Sequence, residues 1–425
     1  MTIADKTEQG ASWSTAGDAV DKLLAPGALV PAYQPIVDLH DRSVVGFEAL
    51  ARWPELQCTP DVAFAAARRA GRVGELDWAC RIAAVEGALA AGLGRNSTLF
   101  VNVEPAVLGG IPERVQPWLE QAERALRPMV EITERALVSR PAALLMSVAR
   151  IRDRGWGVAL DDVGAEPASL AMLPLVRPDV VKLDLGLVQR RPGPEQMQVV
   201  AAVMAYAEHA GATILAEGIE TDADLERAVS FGATLGQGWY FGRPGPLYVP
   251  SSGSRLVSVA SRLPVVATPF DVVEPRQAHV GRKQCLMALS RHIEDQGHVL
   301  AIAPVMVAAF QDSSRFDEAT ARRYGDLAAR CPLVVALGAG MASEPAPGVR
   351  GVALDEDDPL RGEWTVAVVG VHFAAALIGK DLGDTGPDAD RRFEYVVTHD
   401  RARVLTVTRS LLRRAGSIDL PPGLC

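Results

Sequence analysis

The sequence predicts an α/β fold, a (β/α)8 TIM-type barrel followed by a smaller α/β domain, on three observations. Six short apolar runs rich in β-branched residues read as buried parallel strands: Val44-Val45-Gly46-Phe47, Thr98-Leu99-Phe100-Val101, Pro128-Met129-Val130, Gly157-Val158-Ala159-Leu160, Ala212-Thr213-Ile214-Leu215-Ala216 and Gly232-Ala233-Thr234-Leu235. Helical segments alternate with these runs. The chain, at 425 residues, is also too long for one ordinary domain.

The helical segments are 60–70, 76–91, 112–125, 141–153, 196–210 and 222–231. They carry Ala, Leu, Glu and Arg at helical spacing, and several open on Pro or Asp, as first-turn positions prefer. Alternation from Asp18 to about Pro250 suits a barrel of about 230 residues. A doubly wound open sheet is the alternative, but no GxGxxG turn opens the first unit. Residues 1–17 are polar, lack the basic-then-apolar pattern of a leader, and are expected to be disordered. The barrel is expected over 18–250, ending at Pro244-Gly245-Pro246 and Pro250-Ser251-Ser252-Gly253-Ser254.

A linker follows over 251–267, with connector-like sequence to about Glu274 that has room for one short helix. The second domain is expected over 268–415, with helices at 283–295, 316–330 and 400–414 and strands at 299–305, 333–337 and 364–369. Residues 416–425 form a tail. Phe310, Trp364, Phe373, Phe393 and Tyr395 are expected to build its small core, or else to line a ligand pocket. His279, His292, His298, His372 and His399 lack metal-ligand spacing. Asp355-Glu356-Asp357-Asp358 reads as a solvated acidic turn, without the spacing and glycine of a calcium loop.

Composition narrows the function classes. With 48% apolar and 22% charged residues the chain is that of a packed globular protein. A net charge of −9 argues against binding nucleic-acid backbones, so no DNA partner is expected. The five cysteines are scattered without a CxxC pair, which argues against zinc clusters and a disulfide framework. No run of about 18 apolar residues occurs, so no membrane partner is expected and the protein is read as cytoplasmic.

The chemistry lies where the strands stop. Glu48, Asn102, Glu131, Asp161, Asp162, Glu217 and Gln237 each follow or end an apolar run. Six such strands in succession place oxygen ligands around one barrel rim, as a hard-metal hydrolase requires. Taken singly, each residue has a bland reading beside this one. Glu48 and Arg52, in Glu48-Ala49-Leu50-Ala51-Arg52-Trp53, offer a metal ligand and a phosphate fork, or two surface groups. Asn102 offers an uncharged oxygen to a cation, or caps a turn. Glu131 and Glu134, three apart, join the ligand ring and a neighbouring loop, or begin a helix.

Adjacent Asp161 and Asp162 repel unless a cation or proton lies between them; an exposed turn is the alternative. Lys182 is embedded in Val180-Val181-Lys182-Leu183-Asp184 and needs a charged partner. It is placed either to orient an attacking water and stabilise developing phosphorane charge, or to form a structural ion pair with Asp184 or a barrel carboxylate. Glu217 suits a ligand or general base, and Gln237 a base edge or water.

In order and spacing, YQPIVDL, EALARW, NVEP, EITE, DDVG, VKLD, AEGIET and QGWYFGRP resemble the EAL family of cyclic di-GMP phosphodiesterases, over about residues 18–247. The resemblance implies hydrolysis of one phosphodiester bond to linear pGpG with two Mg²⁺ or Mn²⁺ ions. By matching position, Glu48, Asn102, Glu131, Asp161, Asp162 and Glu217 would be metal ligands. Glu48, Lys182 and Glu217 would be the catalytic residues, with Lys182 on the nucleophilic water. Gln34, Leu50, Arg52 and Gln237 would contact substrate, and Glu134 would steady the loop after the Asp pair. A homodimer through the barrel is also implied.

That loop departs from the family pattern. Where the family reads DDFGTGYSSL, this chain has Asp161-Asp162-Val163-Gly164-Ala165-Glu166-Pro167-Ala168-Ser169-Leu170. It loses a hydroxyl partner for Glu134 and a glycine's freedom, and gains a negative charge. A receptor that binds cyclic di-GMP without cleaving it is therefore the second expectation, and a purely structural domain the third. Pro269-Phe270, Arg291 to Glu294, Phe310-Gln311, Tyr324, Glu363-Trp364 and Arg392-Phe393 resemble a DICT sensory domain, implying modulation by an unknown ligand or protein.

Overall fold

A computed structural model of the chain describes residues 15–104, 107, 112, 115–134, 141–164, 167–190, 193–249, 265–385 and 387–415. Ala165 and Glu166 of the variant loop lie outside the described residues, as do 1–14, most of the expected linker and the tail.

Eight strands close a barrel in chain order: β1 (Val30–Asp38), β2 (Val44–Arg52), β3 (Thr98–Asn102), β4 (Arg127–Thr133), β5 (Gly157–Val163), β6 (Val180–Leu183), β7 (Thr213–Ala216) and β8 (Leu235–Gln237). β2 to β8 run parallel, as expected for the six apolar runs they contain, whereas β1, outside those runs, is antiparallel to both β2 and β8. The link between β1 and β2 is too short for the crossover a parallel pair needs. Instead Asp38 Oδ1 accepts from the His40 amide at 2.7 Å and Asp41 Oδ1 from the Ser43 amide at 2.8 Å, closing a hairpin turn.

Ile36, Val45, Phe100, Met129, Ala159, Val180, Leu215 and Leu235, one from each strand, form a single buried cluster that plugs the barrel. Fully burying an apolar side chain contributes roughly 1.5–3 kcal/mol, so this layer is a firm floor for whatever stands above it.

Helices α1 (Ala16–Leu23), α2 (Pro60–Arg69), α3 (Val73–Ala90), α4 (Gln116–Ala125), α5 (Pro141–Asp153), α6 (Leu173–Val176), α7 (Leu185–Gln189), α8 (Pro194–Ala210) and α9 (Asp222–Ser230) accompany the strands. Helix α1 begins inside the segment expected to be disordered, because the Thr15 side chain accepts from the Asp18 amide at 3.1 Å and caps it.

The second domain is a seven-stranded sheet in the order β12-β11-β10-β13-β14-β15-β9. Its strands are β9 (His279–Arg282), β10 (Val305–Asp312), β11 (Val334–Ala339), β12 (Arg350–Ala353), β13 (Glu363–Val369), β14 (Ala374–Asp381) and β15 (Arg392–Thr398). Helices α10 (Lys283–Glu294) and α12 (Glu318–Ala328) bury Leu286, Ile293, Tyr324 and Leu327 in one core with Phe310, Trp364 and Phe393. Helix α13 (Arg401–Leu412) places Val404, Val407 and Leu411 in the core cluster that continues into the barrel.

The expected strand at 299–305 is absent. A short helix, α11 (Gln296–Val299), ends there, and the strand starts only at Val305, after Pro304, which has no amide to donate. Asp358, read as part of a solvated turn, caps the Leu360 amide at 2.9 Å and pairs with Arg414 Nε at 2.7 Å.

Candidate functional site

Strand periodicity of two builds the site directly on the barrel's floor. Two residues beyond Phe100, Met129, Ala159, Val180, Leu215 and Leu235 stand Asn102, Glu131, Asp161, Lys182, Glu217 and Gln237. On reversed β1, Gln34 stands two residues before Ile36, and the β1–β2 register sets Gln34 opposite Glu48. A polar layer thus lies one pleat above the apolar one.

Lys182 is fully buried at its centre. Its Nζ lies 2.7 Å from Glu131 Oε1, 2.8 Å from Asp161 Oδ1, 2.7 Å from Glu217 Oε1 and 3.7 Å from Glu48 Oε2. Of the two structural partners expected for Lys182, the barrel carboxylates take it, while Asp184 Oδ1 caps α7 by accepting from the Gly186 amide at 2.7 Å. Glu48 accepts from Asn102 Nδ2 at 3.0 Å and from Gln237 Nε2 at 2.6 Å. Gln237 Nε2 also reaches Gln34 Oε1 at 3.1 Å, and Gln34 donates to the Gly242 carbonyl at 3.1 Å. All eight side chains are brought together.

Asp162 joins them from the rim. Its backbone is left-handed, φ +57°, which turns the chain out of β5 immediately after Asp161. Ligand oxygens of Asp161, Asp162 and Glu217 lie within 4.8 Å of one another. The Glu134 amide donates to the Asp161 carbonyl at 3.1 Å, tying the β4 end to the Asp pair, and the Glu134 side chain is buried beside it.

Electrostatically the cluster is unbalanced. Glu48, Glu131, Asp161, Asp162 and Glu217 against one ammonium leave four negative charges uncompensated when all are ionised. Burial, then the Glu48 charge, holds the Glu131 carboxyl well above its usual range. Burial pushes Glu217 up to about 8 against the pull of Lys182. Desolvation within the cleft and then Asp161 raise Asp162 to about 6, although it is open to solvent on one side. Burial alone would lower Lys182, but Asp161, Glu131 and Glu217 outweigh it and raise it well above its usual value.

This donor set fits hard divalent cations. Glu131 Oε2 and Gln237 Oε1 are buried and accept no hydrogen bond, and Glu131 Oε1 meets Lys182 at ion-pair distance but outside hydrogen-bond alignment. Carboxylate and carboxamide oxygens are the ligands Mg²⁺ and Mn²⁺ prefer. Two such ions would carry the four missing charges, with Glu48, Asn102, Glu131, Asp161, Asp162 and Glu217 as candidate ligands.

A cleft of about 750 Å³ opens above the cluster, lined by Glu48, Asn102 and Asp162 and by Leu50 and Arg52. Sequence reasoning missed four other lining residues. Arg68 pairs with Glu104 at 2.8 Å across it, and buried Asp77 accepts from the Glu104 amide at 2.8 Å, holding the loop after Asn102. Asp184 also faces the cleft. Glu104 and Asp184 follow strand ends and carried the same signal as the residues that were found; Arg68 and Asp77 sit on helices and looked like ordinary charged positions.

Among the described residues no helix is long and apolar enough to cross a membrane. Residues 266–382 match the family model described as a sensory domain in diguanylate cyclases and two-component systems (DICT). Over 225 residues the chain is 35% identical to the cyclic di-GMP phosphodiesterase RocR of Pseudomonas aeruginosa, covering 50% of this chain and 57% of that protein. It is 26% identical over 241 residues to the probable cyclic di-GMP phosphodiesterase PdeG of Escherichia coli, covering 54% and 47%. The chain thus spans about half the length of these curated relatives. Among solved structures, a manganese/cyclic di-GMP complex of Klebsiella pneumoniae BlrP1 aligns with a TM-score of 0.46 at 28% identity, covering 52% of this chain and 57% of that one. The model of the EAL domain matches residues 18–244, more than half of the chain, and this chain belongs to the EAL domain family.

Proposed function

We propose that this chain hydrolyses cyclic di-GMP to linear pGpG with Mg²⁺ or Mn²⁺. The observation that carries the reading is the ring of four carboxylates around buried Lys182, with Asp162 at its rim, at the base of an open cleft. Bound divalent ions would polarise the phosphate and make water a nucleophile near neutral pH. Lys182 is assigned two roles, holding the ring together and contacting the attacking water. Glu217, once ionised beside Lys182 and the bound cations, is assigned the water's proton. Water adds to phosphorus, one P–O ester bond breaks, and the leaving sugar oxygen takes a proton. Asn102 and Gln237 keep Glu48 oriented, while Arg52, Leu50 and Gln34 are assigned to the nucleotide and Glu134 to the loop after Asp162.

Modulation by the second domain belongs to the same proposal. Helix α13 packs on α5 and α6, and Arg409 Nη1 donates to the Leu175 carbonyl at 3.2 Å. Helix α6 continues the 3-10 turn Pro167–Met172 that follows the Asp pair's loop, so a shift of α13 reaches that loop through one short element. Assembly as a homodimer through the barrel and a cytoplasmic location complete the reading. Pro167 in that loop favours a second reading, a receptor that binds the dinucleotide without turnover.

Chromatography of the nucleotide after incubation with Mg²⁺, Mn²⁺ or Ca²⁺ separates the two. Linear pGpG from the intact protein, absent from Glu48→Ala, supports the hydrolase. Bound but intact cyclic di-GMP under every metal makes the chain a receptor.

A further inference from the structure

The second domain carries a cavity that the barrel's chemistry does not use. It has a volume of about 200 Å³ and lies between α10, the end of β10 and the start of α12. That is far more than the ~10–15 Å³ that admits a single water. Phe310, Trp364 and Phe393 line it, all at least nine-tenths buried, with the rings of Trp364 and Phe393 edge to face at 5.7 Å.

The rim is cationic. Asp388 receives Lys283, Arg315 and, at 3.1 Å, Arg391, so one carboxylate serves three cations, and Arg391 is shared with Asp381. Arg291 also lines the cavity, is exposed, and forms no ion pair among the described residues, although, after the Thr320 hydrogen bonds, its charge helps hold the Asp317 carboxyl below its usual range. The remaining carboxylates are already engaged. Glu294, buried, accepts from Ser290 Oγ at 3.0 Å, Tyr324 OH at 3.1 Å and Arg323 Nε at 2.7 Å. Asp317 caps the Thr320 amide at 2.8 Å. Four lining cations, Lys283, Arg291, Arg315 and Arg323, face three lining carboxylates, Glu294, Asp317 and Asp388, and an anionic guest would relieve the crowding of Lys283 and Arg315 on Asp388.

Backbone strain marks the same place. The register of β10 slips between Ala309 and Asp312, and Gln311 there is left-handed with φ +68°. Its Nε2 donates to Asp381 at 3.2 Å and its Oε1 accepts from Arg391 at 3.2 Å, so it ties the basic rim to the strand end. Left-handed non-glycine residues are strained and concentrate at ligand sites.

We propose that this cavity binds a small planar aromatic carboxylate, its ring against Phe310, Trp364 and Phe393 and its carboxylate toward Arg291, Arg315 and Lys283. The proposal stands whether or not the barrel hydrolyses cyclic di-GMP.

Calorimetric titration of the full chain with indole-3-carboxylate tests it, with acetate and tryptamine as controls. Saturable binding of the aromatic acid is expected, with acetate and tryptamine silent. Arg291→Gln combined with Arg315→Gln should weaken it about tenfold or more, the loss of charge-assisted contacts. Met287→Glu, at an exposed lining position, should weaken it as well and keeps the test open if the double variant folds poorly. Four results would overturn the proposal: no saturation by about 10 mM, tryptamine binding as tightly, acetate competing as well as the aromatic acid, or folded charge variants binding unchanged.

Discussion

Lys182 Nζ and Glu131 Oε1 lie 2.7 Å apart with both side chains almost wholly buried, and every other charge of the barrel site is arranged around this pair. Taking such ions out of water costs several kcal/mol each, and removing one partner of a buried pair typically destabilises by about 3–5 kcal/mol. Lys182→Met should therefore lower the stability of the metal-free protein by about that amount. Mn²⁺ should restore much of it, because the cation replaces the lost positive charge. Urea unfolding with and without Mn²⁺ checks this; equal stability of the metal-free proteins would show that the ammonium does not hold the ring.

The raised carboxyls set a pH dependence whose sign can be worked out. Glu217 titrates near 4.5 when unfolded and near 8 when folded, so between those values the folded state binds more protons. Stability of the metal-free protein should then fall as pH rises through this window. Divalent ions compete with the same protons, so the rise in Tm on adding Mn²⁺ should be small near about pH 5.5 and largest above about pH 8. A metal-induced shift that shrinks with rising pH would remove the carboxylate ring as its cause.

Asp162 separates backbone from charge. Its φ of +57° suits Asn and Asp far better than a β-branched residue. Asp162→Asn should keep the stability of the metal-free fold while weakening Mn²⁺ binding. Asp162→Val should lose both, with about 1–3 kcal/mol of strain. Thermal unfolding and metal titration of the two variants read these effects separately.

Gly238 carries the turn that seats Gln237. A methyl group there would stand 2.1 Å from the Ile219 carbonyl oxygen and 2.4 Å from its nitrogen, at φ +155°. Gly238→Ala should cost about 3 kcal/mol or more, because backbone rather than a flexible side chain must give way. A variant as stable as the parent by urea unfolding would contradict this.

Much of the barrel was legible because its strands announce themselves twice, by apolar β-branched runs and by the polar residue that ends each. Five of the strand-end residues, Asn102, Glu131, Asp161, Glu217 and Gln237, and the embedded Lys182 fall one pleat above the floor residues Phe100 to Leu235, a consequence of period two alone. The reversed β1 was less visible: Pro31 and Pro35 interrupt its pattern, and direction is set by a short hairpin link rather than by composition. In the second domain, β14 was missed because Ala374-Ala375-Ala376 is not strand-like in isolation; burial between β13 and β15 decides it. Arg68 and Asp77 reach the cleft from helices, where nothing local distinguishes them from surface charges.

The most direct measurement is the rate of linear pGpG formation as Mn²⁺ is titrated into metal-free protein, with Glu131→Gln alongside. No product is expected without metal, then a saturable rise, and none from the variant at any concentration. Turnover without metal, or undiminished turnover by Glu131→Gln, would contradict the carboxylate ring as the catalytic metal site.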